Sequence, residues 1–180
     1  WIDAVQTALG PGANAAQRRQ AATEALKTAT AMGWTDHRRA FSHYAMGRLL
    51  QTTDPQQAQD QFVLAQRYFG RSPDTALHRA YVASQLATYA ISAGDPQGAL
   101  AILTPHLDTA ARHENAALLA TLLMLRAEAM ELSGRVTEGR NVRVDSLGWA
   151  RYGFGSDWAV GAKLRESGAL NPARQGQGTL

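Results

Sequence analysis

Residues 53–58 of this chain read TDPQQA, and residues 94–99 read GDPQGA, 41 positions later. An Asp followed by Pro is typical of a helix start, because the carboxylate accepts hydrogen bonds from the first backbone amides and proline is tolerated at the first helical position. A third junction, GRVTEG at residues 134–139, follows after another 40 positions. A period of about 40 residues that contains two helices predicts an α-solenoid, in which antiparallel helix pairs stack on one another.

Other turn signals divide the rest of the chain into short helices. Gly-Pro-Gly at residues 10–12 breaks the chain, Asn14 is placed to cap the next helix, and Gly33 ends that helix. Ser133 and Gly134 close a long apolar helix. No stretch of five or more residues alternates clearly between apolar and polar side chains, as a strand with one buried face does. The sequence therefore predicts an all-α fold of about nine helices.

The junctions resemble those of the tetratricopeptide repeat (TPR) family, whose turn reads roughly Gly-Asp-x-x-x-Ala, with a large apolar residue four positions after the Ala. This chain is similar at Ala58 with Phe62, and at Ala99 with Leu103. The resemblance implies a right-handed α-solenoid with small residues where the two helices of a pair cross. We therefore expect Ala58 and Ala99 to be buried.

The match to the family is divergent. The period is longer than the family's usual length of about 34 residues. Arg143 stands where an apolar residue is expected, and His106 replaces a small residue. On the first helix of each pair, the resemblance places the facing small residues at Ala87 and Ala127, with Met46 as a bulkier match.

The resemblance also implies an order of segments along the chain. We expect a partial N-terminal helix pair in residues 1–35, three TPR-like pairs in residues 36–150, a turn and a C-terminal capping helix in residues 151–170, and a flexible tail in residues 171–180. Gly148, Gly153 and Gly155 are expected to turn the chain before the capping helix. The apolar face of a last repeat needs a cover, which three aromatic residues are expected to help form: Trp149, Phe154 and Trp158.

Motifs for catalysis, metal binding and cofactor binding are missing from the sequence. There is no cysteine, which excludes disulfides, thiolate zinc sites and cysteine nucleophiles. None of the five histidines lies four residues from another, and no phosphate-binding loop or dinucleotide fingerprint is present. We interpret Glu128 and Glu131, one helical turn apart, as solvent-exposed residues. The sequence therefore predicts a non-enzymatic domain that uses no cofactor and no metal.

In the TPR family, the first helices of the pairs line a concave groove that accepts a peptide or a helix of a partner protein. Transferring the groove positions onto this sequence selects eight residues: His43, Gly47, Tyr81, Ser84, Thr88, Met124, Glu128 and Glu131. Core packing is an equally good interpretation of Tyr81 and Met124. The implied function is that of a protein- or peptide-binding scaffold.

A second candidate surface lies in the stretch from Arg140 to Trp158, where basic and aromatic residues alternate. It contains Arg140, Arg143, Trp149, Arg151 and Tyr152. Arginines that contact phosphates and aromatic rings that stack on bases are typical of proteins that bind single-stranded nucleic acid. Docking of the final helix is the structural alternative, and we favour it over nucleic-acid binding. A helical accessory domain of a larger enzyme is a third possibility.

The composition indicates whether the protein spans a membrane and in which compartment it works. Its longest apolar run, residues 116–125, is half the roughly 20 residues that a membrane span needs, so we expect a buried helix there and no transmembrane segment. The formal charge is only +3, and arginine supplies 16 of the 18 basic residues. Because the chain has no cysteine, has few lysines and begins at Trp1 rather than Met, we favour an exported or periplasmic bacterial protein over a cytoplasmic one.

Overall fold

The computed structural model describes residues 1–33, 35–72 and 74–155, and within them all regular structure is helical. Eight helices follow one another: α1 Ile2–Leu9, α2 Ala15–Ala31, α3 Asp36–Leu50, α4 Pro55–Phe69, α5 Ala76–Ser92, α6 Pro96–Arg112, α7 Ala116–Leu132 and α8 Val136–Phe154. The all-α prediction is confirmed over these residues. The expected capping helix with Trp158, and the expected tail, lie outside the described residues.

The chain forms two compact units, Trp1–Leu86 and Ala87–Leu180, which we call the N-terminal and C-terminal units. Their boundary falls inside α5. In the N-terminal unit α3 packs against α4 and α2, and in the C-terminal unit α7 packs against α6 and α8. Short connections of a few residues join these helices.

The helix starts follow the predicted spacing. Helices α4, α6 and α8 begin at Pro55, Pro96 and Val136, which are separated by the 41 and 40 positions read from the sequence. An Oδ1 atom of Asp54 accepts a hydrogen bond from an amide of α4 at 3.0 Å, and Asp95 does the same for α6 at 2.8 Å. The third start lacks this cap, because the residue before Val136 is an arginine that makes no side-chain cap bond.

The predicted role of the glycines near the end of α8 is partly wrong. Gly155 ends the helix with a φ of 72°, in the left-handed region that glycine adopts at low cost. Gly148 and Gly153 lie inside α8 and do not turn the chain. A helical glycine costs only about 1 kcal/mol relative to alanine, which is too little to break a helix whose other face packs on α7. At Gly153 a Cβ would overlap the backbone of residues 116–117, so glycine is what lets the two helices meet there.

The small residues that the resemblance places at helix crossings are buried. Ala58 and Ala99 have no exposed surface, and the same is true of Ala87 and Ala127. In the third repeat Gly139 lies against α7, where a Cβ would stand 2.9 Å from the carbonyl oxygen of Ala127. Buried small residues therefore mark all three predicted junctions.

The crossing of α3 and α4 uses a different residue from the predicted one. The sequence places Met46 there as a bulky match, but Met46 packs instead against a cluster of small residues that includes Ala22 and Ala45. The next residue, Gly47, lies under the ring of Phe62. The register is therefore shifted by one residue, because only a residue without a side chain fits beneath a buried phenyl ring.

Helix α7 is buried on nearly all sides, as its composition predicts. Ten of its 17 residues are buried, including Leu118 and Leu122. His106 of α6 is also buried, in the place where the family has a small residue.

Replacing Gly47 with Ala should destabilise the N-terminal unit. The new Cβ would stand 2.8–3.0 Å from three carbons of the Phe62 ring, and that ring has no exposed surface into which to move. Overpacking of this kind costs about 1–3 kcal/mol. Urea unfolding monitored by circular dichroism measures the change.

Gly148→Ala is the matched control, because nothing lies within 4 Å of its Cβ position inside α8. Both substitutions gain the same helix propensity, about 0.5–1 kcal/mol, so the difference between the two variants isolates the clash. Equal unfolding midpoints in the two variants would show that Phe62 does not hold α3 at this distance.

Candidate functional site

The two predicted groove residues on α3 both face α4. The His43 ring stacks parallel to Tyr68, with ring centroids 5.4 Å apart and an angle of 2° between the planes. Nδ1 of His43 lies 2.8 Å from Oε1 of Gln61. An amide oxygen only accepts, so Nδ1 donates. His43 thus contacts α4 through both a hydrogen bond and ring stacking. Gly47 lies under the Phe62 ring of the same helix.

On α5 the three predicted groove residues separate into a buried one and two exposed ones. Tyr81 and Thr88 are exposed, whereas Ser84 is 3% exposed. The Ser84 hydroxyl donates to the carbonyl oxygen of Tyr81 at 2.7 Å and accepts from Nε2 of Gln85 at 3.2 Å. Core packing therefore accounts for Ser84 and not for Tyr81.

On α7 the predicted groove residues contact their own neighbours. Met124 is 3% exposed and packs with small residues of α7 and α8, against which Phe154 also packs. Glu128 is half-buried. Glu131 makes a two-pronged ion pair with Arg143, with Nε–Oε1 and Nη2–Oε2 distances of 3.1 and 2.9 Å. This pair explains how Arg143 occupies a position where the family has an apolar residue.

The eight predicted groove residues therefore do not share one kind of environment. Gly47, Ser84 and Met124 are buried, and a buried group reaches a ligand only if its neighbours move. His43 and Glu131 already bond to neighbouring helices. Two members of the set, Tyr81 and Thr88, present exposed side chains.

Helix α8 carries exposed apolar side chains close together on one face. Val144 is 67% exposed and Leu147 is 38% exposed, and two arginines extend this row along the helix at spacings of four residues. We call the row the aliphatic stripe, and it consists of Arg140, Val144, Leu147 and Arg151. Val144 and Leu147 were not among the residues selected from the sequence, although their spacing of three residues on a helix whose small residues face α7 is the pattern of an exposed apolar row.

A second exposed row on α8 is aromatic. Trp149 is 47% exposed and Tyr152 is 80% exposed, three residues apart and therefore on neighbouring turns. We call these two residues the aromatic row. Of the five residues predicted for a basic and aromatic surface, four are exposed, and Arg143 turns inward to Glu131. Trp149 is about half exposed, and Phe154 packs against the cluster of Ala120, Met124 and Ala150 between α7 and α8.

Two histidines lie in an aromatic cluster of the N-terminal unit. The ring of His78 stacks on Phe69 with centroids 5.3 Å apart, and it lies 4.9 Å from Phe41 and 5.8 Å from His37. Burial, and secondly the charge of His37, lower the pKa of His78. Its Nδ1 atom is buried without a hydrogen-bond partner, so the cluster accommodates a neutral ring better than a charged one.

Within the described part of the chain, no three His, Asp or Glu side chains gather as a metal site. Over the same residues, no helix is both long and apolar enough to cross a membrane.

Comparison with known proteins adds no relative. No protein-family model matches this sequence, and no curated protein or solved structure resembles the chain at a significant level.

Acid should destabilise the fold through His43 and His78. Burial lowers the pKa of both rings in the folded state, and for His43 it outweighs the opposing hydrogen bond to Gln61. Below the unfolded value of about 6.5, the unfolded chain binds more protons than the folded one. The free energy of unfolding is therefore fully retained above about pH 6.5 and falls as the pH is lowered below it.

Urea titrations at pH 7.5 and pH 5.0 measure this loss in the wild type and in His78→Phe. The phenyl ring fits the aromatic cluster and does not titrate, so the variant should lose less stability between the two pH values. If wild type and variant lose the same amount, burial of His78 does not couple folding to protonation.

Proposed function

We propose that this chain is a non-enzymatic, protein- or peptide-binding domain of TPR-like helix pairs, and that it binds through the aliphatic stripe of α8. The observation that carries the proposal is the exposure of Val144 and Leu147 side by side on one helix face. Contiguous exposed apolar side chains favour contact with another protein, whereas single ones are common on any surface.

The residues around the stripe suit a protein interface. Arg140 and Arg151 are exposed at its two ends, and arginine is enriched at binding hot spots. An apolar centre with a polar rim is the usual arrangement of such interfaces. The partner that fits is a helix or extended segment with an apolar row and acidic residues at either end of it.

The stacking of pairs into a solenoid is supported by the spacing of the helix starts and the small residues at the crossings. The starts at Pro55, Pro96 and Val136 keep the predicted period, and Ala58, Ala99 and Gly139 are buried. Since a helix pair cannot bury both of its apolar faces alone, repeated pairs of this kind favour stacking.

The non-enzymatic part of the proposal is supported by the contacts that candidate acid–base groups already make with neighbouring helices. The Glu131 carboxylate is held by Arg143, and His43 by Gln61 and Tyr68. General acid–base catalysis needs such a group within hydrogen-bond reach of a reacting atom, and here those bonds serve helix contacts.

Binding of single-stranded nucleic acid is the second candidate, because one specific observation favours it. The aromatic row is exposed on the same helix as Arg140 and Arg151, so stacking and phosphate contact are both accessible. The exposed Asp145 between them, and the inward turn of Arg143, reduce the positive charge of this surface.

Two double variants of α8 separate the candidates. Val144→Ser with Leu147→Ser removes the aliphatic stripe, and Trp149→Ser with Tyr152→Ser removes the aromatic row. A partner captured by crosslinking from the native host is purified, and its Kd for each variant is measured by calorimetry. We expect the aliphatic double variant to lose affinity by about tenfold or more, since one buried Val or Leu contributes about 1.5–3 kcal/mol.

Val63→Ser is the control, because Val63 is also an exposed valine but lies on α4. It should leave the Kd within about twofold. A labelled single-stranded oligonucleotide, titrated at 50 and 200 mM salt, tests the alternative, since phosphate contacts make affinity fall steeply with salt. Salt-sensitive oligonucleotide binding that only the aromatic double variant abolishes would replace our proposal with the nucleic-acid one.

A further inference from the structure

Three arginines of the N-terminal unit line one concave pocket of about 470 Å³. Arg18 and Arg19 come from the first turns of α2, and Arg48 comes from the last turn of α3. We call this the arginine pocket. It lies in the N-terminal unit, whereas the aliphatic stripe belongs to the C-terminal unit.

Neutral residues and arginines line the arginine pocket. No Asp or Glu lines it, and no described acidic side chain forms an ion pair with its arginines. Arg19 donates to the hydroxyl of Thr53 at 3.0 Å, and Arg48 to that of Tyr44 at 3.4 Å, which are neutral acceptors. The Nε atom of Arg18 is buried and has no hydrogen-bond partner.

Such a cluster is costly unless an anion relieves it. Like charges in one pocket repel one another, and a buried donor without an acceptor is unfavourable. An anion bound in the pocket offsets the repulsion among the arginines and offers acceptors to their donors.

The backbone adds further donors to the same wall. Ala15 and Ala16 line the pocket and form the first turn of α2. Amides of a first turn have no acceptor within the helix, and the positive end of the helix dipole lies there. The Asn14 cap uses the amide of Gln17 and leaves those of the two alanines to other acceptors. Thr52 and Thr53 also line the pocket.

We propose that the arginine pocket binds a soluble ligand through a phosphate monoester or diphosphate group. A phosphate monoester carries about −1.5 to −2 charges and three acceptor oxygens, which matches several guanidinium groups far better than a single carboxylate does. Guanidinium also forms paired hydrogen bonds with phosphate oxygens. The pocket volume falls within the range of about 300–1,000 Å³ typical of small-molecule sites.

Isothermal titration of the full chain with inorganic pyrophosphate, and separately with inorganic phosphate, tests the proposal at 50 mM sodium chloride. We expect saturable binding, tighter for pyrophosphate. Arg48→Gln should weaken it by about tenfold or more, and Arg18→Gln by at least as much. Arg48 is exposed, so its replacement leaves the core intact even if the Arg18 variant unfolds.

Arg79→Gln is the matched control, since Arg79 is exposed on α5 and does not line the pocket. It removes the same charge and should leave the affinity within about twofold. Arg48→Lys keeps the charge but not the paired donors, so its affinity should fall between those of the wild type and Arg48→Gln.

Three results would overturn the proposal. They are the absence of saturable binding of either anion, an equal loss of affinity in Arg79→Gln, and acetate competing as strongly as phosphate at equal concentration. The variants of α8 do not alter the arginine pocket, so this test and the partner-binding test fail independently.

Discussion

The close approach of helices at small residues is the constraint on which the rest of this structure depends. Among the described residues, alanine supplies 18 of the 30 buried apolar residues, so much of the core consists of methyl groups and backbone. Gly47 under Phe62, Gly139 against Ala127 and Gly153 against the start of α7 are the closest cases. Close contact of this kind stabilises by dispersion and by exclusion of water, and it tolerates little extra volume.

This mode of packing also decides which polar groups are available. Glu131 of α7 and Arg143 of α8 lie where the two helices come close, and they form a bidentate ion pair there. The opposite side of α8 makes no comparable contact among the described residues, so Val144, Leu147 and Tyr152 are exposed. Because α8 buries one face against α7 through small residues, its other face is left exposed as the candidate binding surface.

Arginine has different roles in different parts of this chain. Arg143 is neutralised by Glu131, whereas Arg18, Arg19 and Arg48 converge on a pocket without a described acidic partner. The guanidinium group does not lose its charge at ordinary pH. A chain that clusters guanidinium groups without a counter-charge therefore gains stability from a bound anion by simple mass action.

The sequence by itself determined the element type, the starts of the repeated helices and the small residues at their junctions. The Asp–Pro starts and the glycines with positive φ are local properties that act within one or two turns of backbone, and the 40-residue spacing is read from the positions at which such junctions recur. It also indicated that α7 would be buried, since the longest apolar run of the chain, residues 116–125, lies in it. The sequence did not determine the shift from Met46 to Gly47 at the α3–α4 crossing, because that depends on where the Phe62 ring lies.

Only the tertiary structure decided which candidate residues reach the surface. The groove residues were chosen by aligning this sequence with the TPR pattern. Such an alignment does not show that Ser84 is buried or that a guanidinium nitrogen of Arg143 lies within 3 Å of the Glu131 carboxylate. Continuity of α8 through Gly148 and Gly153 likewise depends on packing against α7, which outweighs the weak helix preference of glycine. The arginine pocket joins residues about 30 positions apart in the sequence, from Arg18 to Arg48. No local pattern encodes that distance, because it is set by the way α2 packs on α3.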